Sequence, residues 1–208
     1  VEMLVGFLLL SIVHASVPRT NRTALLVIDM SIEQWEGIEY RRNETLATIK
    51  KLIWNNSTKF KFDIVVDSHL WMRCDGVPAP ESTLCAVTTV GRIHTEEAEL
   101  LPELRNPKAV FVEKKQYSCF YGSTLDATLR NFGIGTIFIV GINTNYCVFA
   151  SVMDAWERGY DVRVVLDGIT SCDGVAGHEA GLKMLHSFFD ETQGKVTFLN
   201  STDFWQQG

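Results

Sequence analysis

The sequence predicts an α/β domain: a doubly wound, mostly parallel sheet of five to six strands with helices on both faces. Three observations predict it. Short β-branched apolar runs alternate with stretches of helical periodicity, as in successive strand–helix–strand crossovers. The runs are apolar along their whole length instead of alternating with polar residues, the mark of strands covered on both sides. And 208 residues, 46% of them hydrophobic, suffice for one domain with a sizeable core.

The elements follow in order. Ala24 to Met30 (ALLVIDM) is a first strand carrying an acid near its end. Asn43 precedes a helical pattern with Leu46, Ile49, Leu52 and Ile53 on one face. Asp63 to Asp67 is a second strand, and Cys74 to Val90 an excursion loop rich in Pro, Gly, Ser and Thr. Ala109 to Val112 is a third strand. Ser123 to Phe132 is a helix with a Ser-x-x-Asp start and Gly133 at its end. Thr136 to Val140 is a fourth strand, leading through Gly141–Tyr146 to Cys147 and a helix over Val148 to Arg158 that stops at Gly159. Val162 to Leu166 is a strand, His178 to Phe189 an amphipathic helix, and Val196 to Leu199 a last short strand.

Net charge is −6 with no dense basic run, which excludes nucleic acid as a partner. Leu4 to Val13 is apolar but too short to cross a bilayer, and small residues around Ala15 suit cleavage. Residues 1–15 are therefore read as a signal peptide and 16–208 as a single secreted domain, with no membrane segment after cleavage. Glycosylation acceptor patterns at Asn21, Asn43, Asn55, Asn56 and Asn200 agree with that reading, each weak alone. Five cysteines leave one unpaired if four are bridged. Cys74 with Cys85 closes a short loop and is the easiest pair; Cys119 with Cys172 follows by elimination, leaving Cys147 free.

In a doubly wound sheet the ligand lies beyond the carboxyl ends of the strands. Asp29, then Asp67 and His69, then Lys114, then Cys147 fall at four successive strand ends. Cysteine, carboxylate and lysine make a workable acyl-transfer site. A thiolate attacks a carbonyl carbon, Asp29 removes its proton and returns it to the leaving amine, and Lys114 stabilises the charged forms. Cys147 sits where a strand hands over to a helix, and free N–H groups there favour a thiolate and hold an oxyanion. No GxGxxG, P-loop or GxSxG is present. An arbitrary cysteine is more often a small buried hydrophobe; the other strand-end groups shift that balance.

The segments ALLVIDM, EKKQYSCFYGSTLDATLR and GINTNYCVFASVMDAWERGYDVRVVLDG resemble the isochorismatase-like cysteine hydrolases, the family that includes nicotinamidases, from about Ala24 to Leu199. The resemblance implies a Rossmann-like three-layer fold and a catalytic triad of Asp29, Lys114 and Cys147. It also implies a cis peptide at Ile142–Asn143, with the N–H groups of Asn143 and Cys147 as oxyanion hole. Dimers or tetramers are common in the family. Asn143-Thr144-Asn145 stands where the family commonly has Ala-Thr-Asp, Ser31 where it has Gln, and Cys119 where it has Ala.

Nicotinamidases hold a divalent metal, such as zinc, through an Asp-x-His pair and a further His. Asp67-Ser68-His69 matches the pair; the alignment puts Val90 in the distal place, with His94 the nearest substitute. Asp67, His69 and His94 are thus the candidate metal ligands, against a reading of His69 as a polar strand-end residue. Trp35, Trp71, Tyr117 and Phe120 neighbour the triad in sequence and are candidates for an aromatic wall around a flat substrate, against ordinary packing. His178 and His186 fit solvent or satisfied packing better than ligand roles.

The leading expectation is a secreted amidohydrolase cleaving a small, nicotinamide-like carboxamide through a Cys147 thioester. The alternatives are a family hydrolase acting on a ureido compound or isochorismate, and an inactive secreted binding protein.

Overall fold

A computed structural model describes residues 20–55, 60–74, 82–86, 91–93, 95–189 and 195–203. The signal peptide over 1–15, the acceptor Asn56, and both Val90 and His94 lie outside the described residues.

Six strands form one parallel sheet in the order β3-β2-β1-β4-β5-β6: β1 Thr23–Ile28, β2 Ile64–Ser68, β3 Val110–Phe111, β4 Thr136–Ile142, β5 Asp161–Thr170 and β6 Val196–Leu199. The order reverses between β1 and β4, so the loops after these two strands diverge and leave a crevice at their carboxyl ends. Asp29 follows β1 and Cys147 follows β4.

Alternation along each strand sorts side chains to two cores. One face carries Ala24, Leu26, Ile28, Ile137 and Ile139, packed under α3 (Leu125–Asn131), α4 (Phe149–Glu157) and α5 (Gly174–Phe189). The other carries Leu25, Val27, Phe138 and Val140 against α1 (Ile32–Glu36) and α2 (Arg42–Ile53). A Cβ on Gly141, at φ +117°, would lie 2.1 Å from the Ile28 carbonyl oxygen, so only glycine lets β4 pass β1 this closely.

Element boundaries move in ways that bear on the site. The fourth strand continues to Ile142, and the fifth runs ten residues to Thr170 instead of ending at Leu166. The late helix starts at Gly174, a turn earlier than its apolar periodicity implies. The five-residue α1 was not expected; it is too short to show a period. Two cysteine expectations divide. Cys74 and Cys85 are bridged, with Cα atoms 5.4 Å apart. The Cys119–Cys172 pairing is wrong: both are free, one buried in the core and the other exposed.

Candidate active site

Asp29 is the first residue past β1 and takes a left-handed conformation, φ +55°, rare for a residue with a side chain. Its N–H donates to the Ser68 carbonyl at 3.0 Å, which keeps the chain against β2 while the backbone turns. The Leu70 N–H in turn donates to Asp29 Oδ1 at 3.1 Å. Lys114 is placed by an extension of the same ladder beyond β2 and β3. Its N–H donates to His69 O at 3.1 Å, and its carbonyl accepts the Trp71 N–H at 3.0 Å. Backbone bonds thus set both ends of a charged pair.

Lys114 Nζ lies 2.8 Å from Asp29 Oδ2, and both side chains are completely buried. The same ammonium donates to Cys147 Sγ at 3.4 Å. Burial alone would push the Lys114 ammonium down; the Asp29 carboxylate beside it reverses that and holds it above its ordinary value. Burial pushes the Cys147 thiol well up, the Asp29 charge adds to the push, and Lys114 only partly opposes it. The resting site is a thiol beside an ion pair. Charge on sulfur thus needs a base, as the sequence reading has it, and Asp29 is in place to be one.

The turn into the nucleophile has a cis peptide between Ile142 and Asn143, as the resemblance implied. The chain then makes one π-helical turn, Thr144–Val148, before α4 begins. The Asn143 carbonyl accepts the N–H groups of Tyr146 and Val148 at 3.0 and 3.1 Å, closing that turn around Cys147. Cys119 sits in the same core, its N–H bound to Ser151 Oγ at 3.0 Å, one helical turn after Cys147. Burial raises the Cys119 thiol to about 11, with Lys114 opposing, so it too stays protonated.

The expected aromatic wall divides. Trp35 is 2% exposed, held in the α1–α2 core with the Arg42 guanidinium 5.2 Å from its ring centre. Phe120 is packed in the other core with Arg158 over it. Both serve packing before any wall. Tyr117 is half exposed and pairs with Tyr146, ring centres 6.0 Å apart, beside the nucleophile turn. Trp71 lies elsewhere, in a cavity of about 380 Å³ with Asp67, His69, Glu99, Arg105 and Phe111.

That cavity holds two of the three candidate metal ligands, Asp67 and His69; the third, His94, lies outside the described residues. Asp67 Oδ1 is 2.9 Å from His69 Nδ1, so the carboxylate orients the imidazole. His69 Nε2 is buried without a hydrogen-bond partner in the structure, the atom a metal would take. Yet no group of three metal-ligating side chains exists among the described residues. One imidazole nitrogen and one carboxylate already engaged with it fall short of the three protein ligands a divalent site keeps. Among the described residues Asp67 and His69 alone do not complete such a site, and no step below passes through a metal.

Known proteins give the frame for this geometry. Over 92 residues the chain is 36% identical to the ureidoacrylate amidohydrolase RutB of Variovorax paradoxus, a match covering 44% of this chain and 36% of that protein. The chain thus spans little more than a third of that curated relative. N-carbamoylsarcosine amidase from Thermoplasma acidophilum superposes with a TM-score of 0.70 at 23% identity, covering 86% of this chain and 96% of that one. The zinc complex of Pyrococcus horikoshii pyrazinamidase superposes at 0.65 with 22% identity, covering 86% and 99%. At such identities these structures show a shared fold. The isochorismatase domain profile matches residues 23–195, from the first residue of β1 to the edge of β6, a span that includes Asp29, Lys114 and Cys147. The chain belongs to the isochorismatase family.

Proposed function

We propose that this protein hydrolyses the C–N bond of a small primary carboxamide, with a nicotinamide-like compound as the leading substrate class. One observation carries the reading: a buried ammonium stands 2.8 Å from a carboxylate and 3.4 Å from a thiol at the sheet's switch point. Asp29 takes the Cys147 proton as sulfur attacks the carbonyl carbon, and the N–H groups of Asn143 and Cys147 receive the oxyanion. Asp29 then gives the proton to the departing nitrogen; ammonia leaves and a thioester remains. Water, deprotonated by Asp29, cleaves the thioester to the acid and restores the thiol. Lys114 stays paired with Asp29 between these transfers and stabilises sulfur when it is charged.

A second substrate class, ureido compounds, is favoured by the names of the relatives, a ureidoacrylate amidohydrolase and an N-carbamoylsarcosine amidase. The same steps apply with a carbamoyl carbon as electrophile. Ammonia release from nicotinamide and from N-carbamoylsarcosine, each with a Cys147→Ala control, tests both. Release from one substrate that vanishes in the control supports the reading; none from either defeats both classes.

We also propose export of the mature domain. The apolar stretch Leu4 to Val13, the Cys74–Cys85 disulfide, and Asn21 and Asn200, both exposed outside helices and strands, support it. Glycosidase treatment of protein from a eukaryotic secretory host should lower its mass; unmodified protein retained in cells would count against export.

A further inference from the structure

The nucleophile turn is fastened along its length to one strip of chain, and the fastening ends in a buried histidine that the chemistry above does not use. Asn143 Oδ1 accepts the Cys172 N–H at 2.7 Å. Asn145 Oδ1 accepts the Ser171 hydroxyl at 2.7 Å, and its Nδ2 donates to Asp173 at 2.8 Å. These bonds lie at or near the surface, where water competes for each partner. The Thr144 bonds do not: Thr144 and Thr170 are fully buried and His178 is 3% exposed.

Thr144 Oγ1 donates to the Thr170 carbonyl at 3.0 Å and stands 2.8 Å from His178 Nδ1. A hydroxyl has one proton, and a carbonyl only accepts. The Thr144 proton is therefore spent on Thr170, and His178 Nδ1 must donate to Thr144. The tautomer follows from the geometry. Burial, then the nearby Arg41, lowers the imidazole's proton affinity, so the ring is neutral with its hydrogen on Nδ1. The Tyr40 ring packs against it at 5.5 Å. Helix α5 meets the turn through Gly177 and Gly181, on either side of His178. A Cβ at 181 would lie 2.7 Å from both Asn145 N and Thr144 C.

We propose that His178 is a positioning residue for the amide-cleaving step, acting through Thr144 to fix the turn that carries the N–H groups of Asn143 and Cys147. It touches no reacting atom. Thr144 lies between those two residues, and its hydroxyl is clamped from one side by a β5 carbonyl and from the other by α5. Losing either clamp lets the turn rotate, and the oxyanion donors lose their aim while the substrate pocket stays. The inference rests on the amidase reading and is tested apart from it.

The test compares His178→Ala, His178→Asn, Thr144→Val and Thr144→Ser in the full chain. Two readouts are used: ammonia release from nicotinamide or N-carbamoylsarcosine, and hydrogen exchange of the peptide over residues 142–149. His178→Ala and Thr144→Val should each lower kcat on the order of 10- to 100-fold, with KM within about 3-fold, as expected when a transition-state contact is lost. Exchange in the turn should quicken by about tenfold while exchange in β1 holds. His178→Asn and Thr144→Ser, which keep a donor and a hydroxyl, should recover most of both. Combining His178→Ala with Thr144→Val should add little, since the two act in series. Unchanged turn exchange in both disrupting variants overturns the inference, as does faster exchange with kcat intact. If neither amide is cleaved by the unaltered protein, the amidase reading fails. Turn exchange then decides the His178 clamp by itself.

Discussion

Lys114 and Asp29 form an ion pair with no solvent contact, 2.8 Å apart and one residue past the end of the sheet's first strand. Removing one partner of such a pair strands the other. Lys114→Met should therefore destabilise the protein by about 3–5 kcal/mol at pH 8, well beyond the loss of one surface contact. Urea denaturation of the variant beside the unaltered protein checks it. A penalty below about 1 kcal/mol, the scale of an exposed pair, would mean Asp29 finds another counter-charge.

The Cys147 neighbourhood makes a second prediction, one of pH dependence. Cys119 titrates near 11 in the fold against an ordinary 9.0, and Cys147 is raised as well, by burial first and then by Asp29. Both are acids whose folded value is raised. Their neutral thiols favour the fold below pH 9, and that contribution is lost as pH climbs through the folded values. Stability should fall by about 2 kcal/mol from Cys119 between pH 8 and pH 10.5. Cys119→Ala should remove its share of this limb and leave that of Cys147, and denaturant titrations at the two pH values would show whether it does.

Reducing the disulfide should have a separate, smaller signature. Cys74 and Cys85 enclose a separation of 11 residues, a short loop, so Cys74→Ser with Cys85→Ser should cost about 2–3 kcal/mol. The Tm of the unaltered protein should fall correspondingly on adding reductant. No shift in either would mean that the packing of Cys74 and Cys85 on Leu70, Met72 and Leu84 already holds the two ends together.

The fold was legible because its signals are local. Apolar runs and helical periods mark where each strand and helix lies, and parallel strands put Asp29, Lys114 and Cys147 at one edge. Part of the site was not legible, because it depends on contacts distant in sequence. Nothing near Cys147 shows that its thiol stays protonated; that follows from burial beside Asp29, 118 positions away in the chain. Trp35 and Phe120 look like pocket residues by proximity in sequence, yet helix α1 carries the first into one core and the turn after Lys114 carries the second into the other. Counting alone pairs Cys119 with Cys172, but one is a core position and the other a surface one. His178 fits the satisfied packing expected of it, but its partner Thr144 is 34 residues away. One signal was available: Gly177 and Gly181, four apart on a helix, mark a closely packed face, met by side chains at Gly177 and by backbone at Gly181.

That glycine face gives the last prediction. Gly181 lies inside α5, where alanine is the better helix former by about 1 kcal/mol. An added Cβ would also stand 2.7 Å from Asn145 N and from Thr144 C, closer than side-chain carbons approach backbone. Neither contact is a flexible side-chain end, so relief must come from the helix or the turn moving. Helix α5 is anchored by Leu185 and Phe189 in the core; the turn is a single π-helical coil. The turn should yield, carrying Cys147 and the oxyanion donors off position. Gly181→Ala is expected to lower kcat by at least tenfold while Tm changes by only a few degrees, because propensity gain and steric strain oppose each other in stability but not in catalysis. Thermal melting beside ammonia release measures both. Full activity with a large drop in Tm would mean that the helix moved instead, and that the turn is stiffer than its hydrogen bonds imply.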